Sequence, residues 1–195
     1  NMSDTTDIEQ YCKDNGIMFV EDAAQSLGSR INNRKAGSIG DCSSFSFNTN
    51  KVISGVNGGG MFLTDNEQLA NTVKKLRRHG KGKDYEMLGY NSRMYVLNAQ
   101  IIQLRLKNLT RDRQIREQNA MTYNSAFKDL PIQTPTVPFN VVHNWHKYTI
   151  IFKDKETRNK VKNKLNLSVH YETPLSENSM YSAWSIDYKK DDCVN

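Results

Sequence analysis

Gly16-Ile17-Met18-Phe19-Val20-Glu21-Asp22 runs from a glycine through four successive apolar residues to two acids. A short apolar run bounded by a turn residue and by charge suits a strand covered on both faces, as in a parallel sheet. The residues before it have a helical pattern. Between Asp4 and Asn15, Ile8, Tyr11 and Cys12 recur at i, i+3 and i+4, and Ser3 or Asp4 can cap the first turn. Helix, glycine, buried strand and acid in succession is the rhythm of an α/β fold.

The pattern extends downstream. Ser29 to Gly40 holds no sustained period and carries Asn32-Asn33, so it reads as a hairpin or a loop. Cys42 to Phe47 alternates, with Phe45 and Phe47 on one face and Ser44 and Ser46 on the other. A loop rich in Asn and Gly follows, Asn48 to Gly60, with Lys51 inside it. Met61-Phe62-Leu63 is a further short strand. Asp65 with Gln68 three residues on starts a helix whose stripe is Leu69, Val73 and Leu76. Gly82 to Arg93 is a polar loop. One long helix is expected from Val96 to Phe127, buried on a broad face by two stripes: Leu97, Ile101, Leu104 and Ile102, Leu106, Leu109. Three of the four prolines fall between Pro131 and Pro138, which reads as a linker. Beyond it a strand is expected over Tyr148–Phe152, a polar helix over Asp154–Leu165 and a further strand over Ser168–Tyr171. Trp145 and Tyr148 are expected in the core of this second, smaller α/β unit. The domains expected are therefore residues 1–130 and 131–195.

Composition narrows the classes. The chain has 195 residues, with Lys plus Arg 27, Asp plus Glu 21, a net charge of +6, 11 Gly and 4 Pro. Scarce Gly and Pro exclude a collagen-like or low-complexity chain. Three cysteines in this length exclude a disulfide-stapled miniprotein and read as free thiols in a reducing compartment. No apolar run approaches the ~20 residues of a membrane span, and no secretory leader opens the sequence. A soluble, cytoplasmic protein is expected, with no membrane partner. The four His and three Cys show no zinc-ligand spacing, so no metal is expected. The densest basic cluster, Lys74, Lys75, Arg77, Arg78, His79, Lys81 and Lys83, could neutralise phosphates of a nucleic acid. It also closes a helix, where cations complement the C-terminal partial charge and Gly80 stands at C′. With no aromatic residues interleaved, the second reading is preferred and no nucleic acid is expected.

Chemistry gathers at strand ends. Asp22 follows the first strand, Ser46 ends the second and Lys51 lies in the loop beyond. Open α/β sheets bind ligands at the carboxyl ends of their strands. An acid, a hydroxyl and a lysine in one crevice suit pyridoxal phosphate: the lysine forms a Schiff base, the acid keeps the ring nitrogen protonated and the hydroxyl meets the phosphate. Taken singly, each has a commoner reading. An Asp after a strand is usually a cap or turn residue, and a loop Lys is usually solvated.

Val20-Glu21-Asp22-Ala23-Ala24-Gln25-Ser26-Leu27-Gly28 resembles a signature of the DegT/DnrJ/EryC1/StrS family of pyridoxal-phosphate-dependent sugar aminotransferases. The resemblance continues through Ala36-Gly37-Ser38-Ile39-Gly40-Asp41, Ser44-Phe45-Ser46-Phe47-Asn48-Thr49-Asn50-Lys51 and Gly58-Gly59-Gly60-Met61. It runs on through Leu76-Arg77-Arg78-His79-Gly80 and Gly89-Tyr90-Asn91-Ser92-Arg93-Met94. It implies a fold-type-I, aspartate-aminotransferase-like α/β protein with part of the large domain and part of the small one. Lys51 would be the catalytic residue that carries the cofactor and shuttles the proton. Asp22 would bind the pyridinium nitrogen, Gln25 the phenolic oxygen and Ser46 the phosphate. Asn91 would reach the phosphate in the neighbouring subunit of a homodimer. Arg93 would be a structural or substrate-carboxylate residue. His170-Tyr171, before Pro174-Leu175, resembles the segment near the sugar site; His170 alone reads equally as a strand-end residue.

The activity implied is transfer of an amino group from L-glutamate to a keto sugar nucleotide, for surface polysaccharide or glycoconjugates. Some family members carry histidine in place of the lysine and dehydrate sugars; Lys51 favours transamination. A dehydratase or inactive homologue is the first alternative, and a basic binding or regulatory module the second. Family members are longer at both ends, and the segment that grips the phosphate and stacks on the ring has no counterpart here. The chain is therefore expected to be part of a larger subunit, with sheet edges and apolar faces uncovered.

Overall fold

Helix α1 (Thr6–Asp14) begins where the Asp4 carboxylate accepts the Thr6 N–H at 3.1 Å and the Thr6 hydroxyl at 2.7 Å, so Asp4 and not Ser3 holds its first turn. It ends at Gly16, whose φ of +64° an L side chain rarely adopts. The structure, a computed structural model, describes residues 2–173 and 175–179.

Strand β1 (Val20–Asp22) starts later than the apolar run. The Phe19 N–H is taken by the Asp41 carboxylate at 2.7 Å, and the Phe19 carbonyl accepts the Asp41 N–H at 2.9 Å. A side chain thus replaces the first rung of the ladder. Nor is the run buried on both faces: Ile17 is 48%, Met18 56% and Val20 58% exposed. Among the described residues β1 has one neighbour in its sheet and lies at an edge. Its partner β4 (Cys42–Ser46) runs parallel to it, with Val20 opposite Cys42 and Asp22 opposite Ser44. Strand β5 (Gly60–Leu63) returns antiparallel on the other side. The alternation read in Cys42–Phe47 is the one found: Phe45 and Phe47 are buried, Ser44 is exposed and Ser46 is half-buried.

The Ser29–Gly40 segment is a hairpin. β2 (Arg30–Ile31) and β3 (Arg34–Lys35) are joined by Asn32 and Asn33, with φ of +48° and +62°. Two successive positive φ values define a turn whose twist matches the strands, and Asn tolerates it. Glu9 of α1 holds Arg34 through two bonds of 2.6 and 2.9 Å. β7 (Val141–Val142) adds to the free side of β2, and Ile31, Ile39 and Val141 form a small core there with Phe19 against it.

Helix α2 (Glu67–Leu76) is capped by Asn66 and not by Asp65: the Asn66 side chain accepts the Leu69 N–H at 3.1 Å. The long helix is two, α3 (Val96–Leu106) and α4 (Leu109–Phe127). At the break the Asn108 N–H bonds the Arg105 carbonyl three residues back, tightening the turn. Leu106 and Leu109 both reach the second core, Phe47, Ile53 and Ile102. Only that stripe is covered; Leu97 and Leu104 are 70% and 60% exposed.

The chain divides into two units: Asn1–Ser125 with Thr136–Tyr148, and Ala126–Pro135 with Thr149–Asn195. It therefore passes between them three times. The proline-rich segment is not a bare linker, because β6 (Ile132–Gln133) lies within it and pairs with β8 (Ile151–Phe152) of the second unit. Trp145 and Tyr148 belong to the first unit, where Tyr148 stacks near Trp145 and donates to Asn124 Oδ1 at 2.6 Å. In the second unit α5 (Lys155–Leu165) is capped by Asp154 and stopped by left-handed Asn166. Ser168–Tyr171 forms no strand: among the described residues no backbone pairs with it. Among the described residues, no helix is long and apolar enough to cross a membrane.

Candidate active site

Two parallel strands bring their carboxyl ends side by side. Asp22 closes β1, and its Oδ1 accepts the Ala24 N–H at 3.0 Å, turning the chain. Among the described residues its other oxygen, Oδ2, accepts nothing, so the turn-residue reading accounts for half of the carboxylate. Ser46 closes β4, and its hydroxyl oxygen accepts the Asn48 N–H at 3.3 Å. Phe47 then anchors the loop that carries Lys51. Its N–H donates to Gly59 and its carbonyl accepts from Gly55, both at 2.8 Å, while its ring is 2% exposed in the second core. Lys51 closes a turn with its N–H on the Asn48 carbonyl at 2.9 Å. Its side chain is half-buried, and among the described residues the ammonium has no acceptor or carboxylate beside it.

Gln25, Ser46, Lys51 and His146 line one narrow hollow, with Leu27, Val52 and Ile53 as its apolar wall. Asn91 and Arg93 are not on that wall. They are exposed on the loop after α2, where Asn91 bridges to Arg78. His170 and Tyr171 lie in the second unit, both exposed, their rings 5.9 Å apart.

His146 was not singled out in the sequence. What puts it there is Asn144, 1% exposed, with both of its side-chain polar atoms used. The Asn144 amide donates to the Gln25 carbonyl at 2.8 Å and the Leu27 carbonyl at 3.1 Å, and its Oδ1 accepts the His146 N–H at 3.0 Å. Its own N–H meets the Ser29 hydroxyl at 3.2 Å. The only signal in the sequence is the polar Asn and His set among aromatics in His143-Asn144-Trp145-His146. His143 is pushed down to about 4 by burial, and its Nδ1 accepts the Trp145 N–H at 3.4 Å. Burial also raises Glu21 above the usual carboxylate range. Its Oε1 is buried with no partner among the described residues.

The sequence profile of the DegT/DnrJ/EryC1/StrS aminotransferase family matches residues 1–195. The chain is 32% identical over 185 residues to dTDP-3-amino-3,6-dideoxy-alpha-D-galactopyranose transaminase of Aneurinibacillus thermoaerophilus, a match covering 93% of this chain and 51% of that protein. Its fold is similar to that of S. venezuelae DesV, solved with a ketimine intermediate, at a TM-score of 0.85 and 26% identity, over 93% of this chain and 50% of DesV. It is also similar to E. coli GDP-4-keto-6-deoxy-D-mannose-3-dehydratase with bound hydrated pyridoxal phosphate, at a TM-score of 0.73 and 25% identity, over 85% of this chain and 48% of the dehydratase. The chain belongs to the DegT/DnrJ/EryC1/StrS aminotransferase family, whose cofactor is pyridoxal phosphate. It spans about half the length of the relatives it matches.

Proposed function

We propose that the protein bearing this chain is a pyridoxal-phosphate-dependent aminotransferase that moves an amino group from L-glutamate to a keto sugar nucleotide. The observation that carries the reading is Lys51: an amine without an ion-pair partner among the described residues, in one hollow with the Ser46 hydroxyl and Gln25, beside the strand that ends in Asp22. The donor set fits the cofactor. Asp22 has one carboxylate oxygen in use and one to offer a ring N–H. Ser46 is a hydroxyl for the phosphate, Gln25 an amide for the phenolic oxygen and Lys51 an amine for the aldehyde.

When bound, the cofactor supplies an electron sink for the carbon that carries the nitrogen. The protein's own groups do the rest. Lys51 would hold the cofactor through its aldehyde and, with its amine free again, would carry the proton at the donor's α-carbon. Asp22 would hold the ring nitrogen with its unused oxygen and favour its protonated form. Asn91 serves the phosphate of the neighbouring subunit in a homodimer, and Arg93, His170 and Tyr171 serve the sugar and donor side. In this reading Asn1–Ser125, together with Thr136–Tyr148, are part of the large domain, and Ala126–Pro135 with Thr149–Asn195 are part of the small one. Buried Cys42 and half-buried Cys12 are free thiols, in keeping with the reducing cytoplasm.

Borohydride reduction of the full-length protein followed by peptide mass mapping tests the site. The cofactor mass is expected on the peptide containing Lys51; attachment to any other lysine overturns the assignment. Lys51→Ala is expected to lower glutamate-dependent amino-sugar formation by at least ~10²–10⁴-fold, the range for loss of a positioned proton-transfer group. A second reading, sugar dehydration, is favoured by the likeness to the E. coli dehydratase. Sugar turnover that releases ammonia without a new amine on the sugar would select it.

A further inference from the structure

Outside the turn at Asn48–Lys51, the loop that carries Lys51 is held chiefly from across the fold. Helix α3 supplies the hold on its far half. Asn98, 7% exposed, accepts the Val56 N–H on Oδ1 and donates Nδ2 to the Gly58 carbonyl, both at 2.8 Å. A carboxamide accepts and donates from adjacent atoms, so it stands in for a neighbouring strand. Two turns on, Arg105 donates to the Ser54 carbonyl at 2.7 Å and to the Ser54 hydroxyl. Between them Ile102, 2% exposed, packs with Phe47 and Ile53. Asn98, Ile102 and Arg105 stand at i, i+4 and i+7, one face of the helix. The loop is shaped to that face: a Cβ on Gly55 would lie 2.4 Å from Asn98 Oδ1 and 2.4 Å from the Gly58 carbonyl.

We propose that Asn98, backed by Arg105, is the positioning residue for Lys51. It holds residues 54–58 so that the stretch between Ser46 and that clamp has one shape and the amine stays in the hollow. This rests on the reading of Lys51 as the cofactor-bearing lysine. The loop's own bonds, made by Phe47 and Asn48, reach this stretch only at Gly55, whose N–H meets the Phe47 carbonyl; Ser54, Val56 and Gly58 are held from α3.

The test uses the full-length protein with three variants, Asn98→Ala, Asn98→Asp and Arg105→Lys. In protein stripped of cofactor, hydrogen–deuterium exchange of peptides covering residues 52–60 is expected to rise at least tenfold in Asn98→Ala, with α2 and the β2–β3 hairpin unchanged. Asn98→Asp keeps the acceptor for Val56 and loses the donor for Gly58, so it is expected between. In loaded protein, Asn98→Ala is expected to shift the pH midpoint of the lysine–cofactor absorbance band. It is also expected to lower kcat by about 10²-fold, the cost of an ångström-scale misplacement, with KM for glutamate little changed. Arg105→Lys, at an exposed position, keeps a donor for Ser54 and is expected to retain most of the rate. Faster exchange spread evenly over the chain would make Asn98 merely structural and overturn the proposal. Unchanged exchange in residues 52–60 overturns it too. A wild-type band that Asn98→Ala leaves at the same pH midpoint overturns the positioning role alone; absence of the band in wild-type protein overturns the proposed function itself.

Discussion

Phe47 ties the candidate site to the core through one residue: its ring fills the second core while its backbone closes both ends of the Lys51 loop. Phe47→Ala is expected to destabilise the protein by about 3–5 kcal/mol, read from urea unfolding, because it leaves a cavity in a closed space. His143 sets a pH dependence. It titrates at about 4 in the fold because burial disfavours its charged form, against an ordinary 6.5. Between those values the unfolded chain binds more protons. Stability is therefore expected to fall as the pH drops from 6.5 toward 4, and to show no contribution from this group above 6.5. Protonation at Nδ1 would also remove the acceptor for the Trp145 N–H. Denaturation midpoints across that window should show the slope in the wild type and lose it in His143→Gln.

At the scale of elements, α2 and the turn after it show how a basic cluster is used. Lys74 and Lys75 lie in the last turn of α2, where cations complement the helix end, and Lys75 pairs with Glu86 across the following loop. Gly80 makes that loop possible: its φ is +75°, and a Cβ there would stand 1.6 Å from the Met87 carbonyl oxygen. Gly80→Ala is expected to cost about 1–2 kcal/mol for the left-handed backbone alone, with the displacement of Met87 in addition. Thermal unfolding reads the loss, and proteolysis should rise between Lys81 and Arg93. At the other end of the same helix, Asn66→Ala removes a cap and is expected to cost about 1 kcal/mol.

At the scale of the molecule, the first sheet leaves the short β1 edge open among the described residues. β1 has a partner on one side only, and Ile17, Met18 and Val20 are about half exposed there. Glu21 and Asp22 put charge on the strand itself, and the apolar part of this edge, Ile17, Met18 and Val20, is what invites pairing with another chain. Expressed by itself, the 195-residue chain is expected to self-associate. Val20→Lys should shift its light-scattering mass toward the monomer. Unchanged association in that variant would remove β1 as the cause.

The alternation of Cys42–Phe47 recorded its buried face, Asn32-Asn33 marked the hairpin, and the ordered motifs from Val20 to Met94 identified the family. These were legible because periodicity, turn chemistry and motif order are local properties of the chain. The long helix read from Val96 to Phe127 is divided at residues 107–108, where the Asn108 N–H turns to the Arg105 carbonyl three residues back. β1 lies at an edge because, among the described residues, only β4 pairs with it. His146 and Asn98, distant in sequence from Lys51, converge on its hollow and its loop through the bonds of Asn144 to Gln25 and of Asn98 to Val56 and Gly58. The sequence by itself determined the α/β class, the residue types offered to a cofactor and the family. The tertiary structure alone decided which strand edge stays open and which distant side chains reach the lysine, because those depend on long-range pairing that no local pattern encodes.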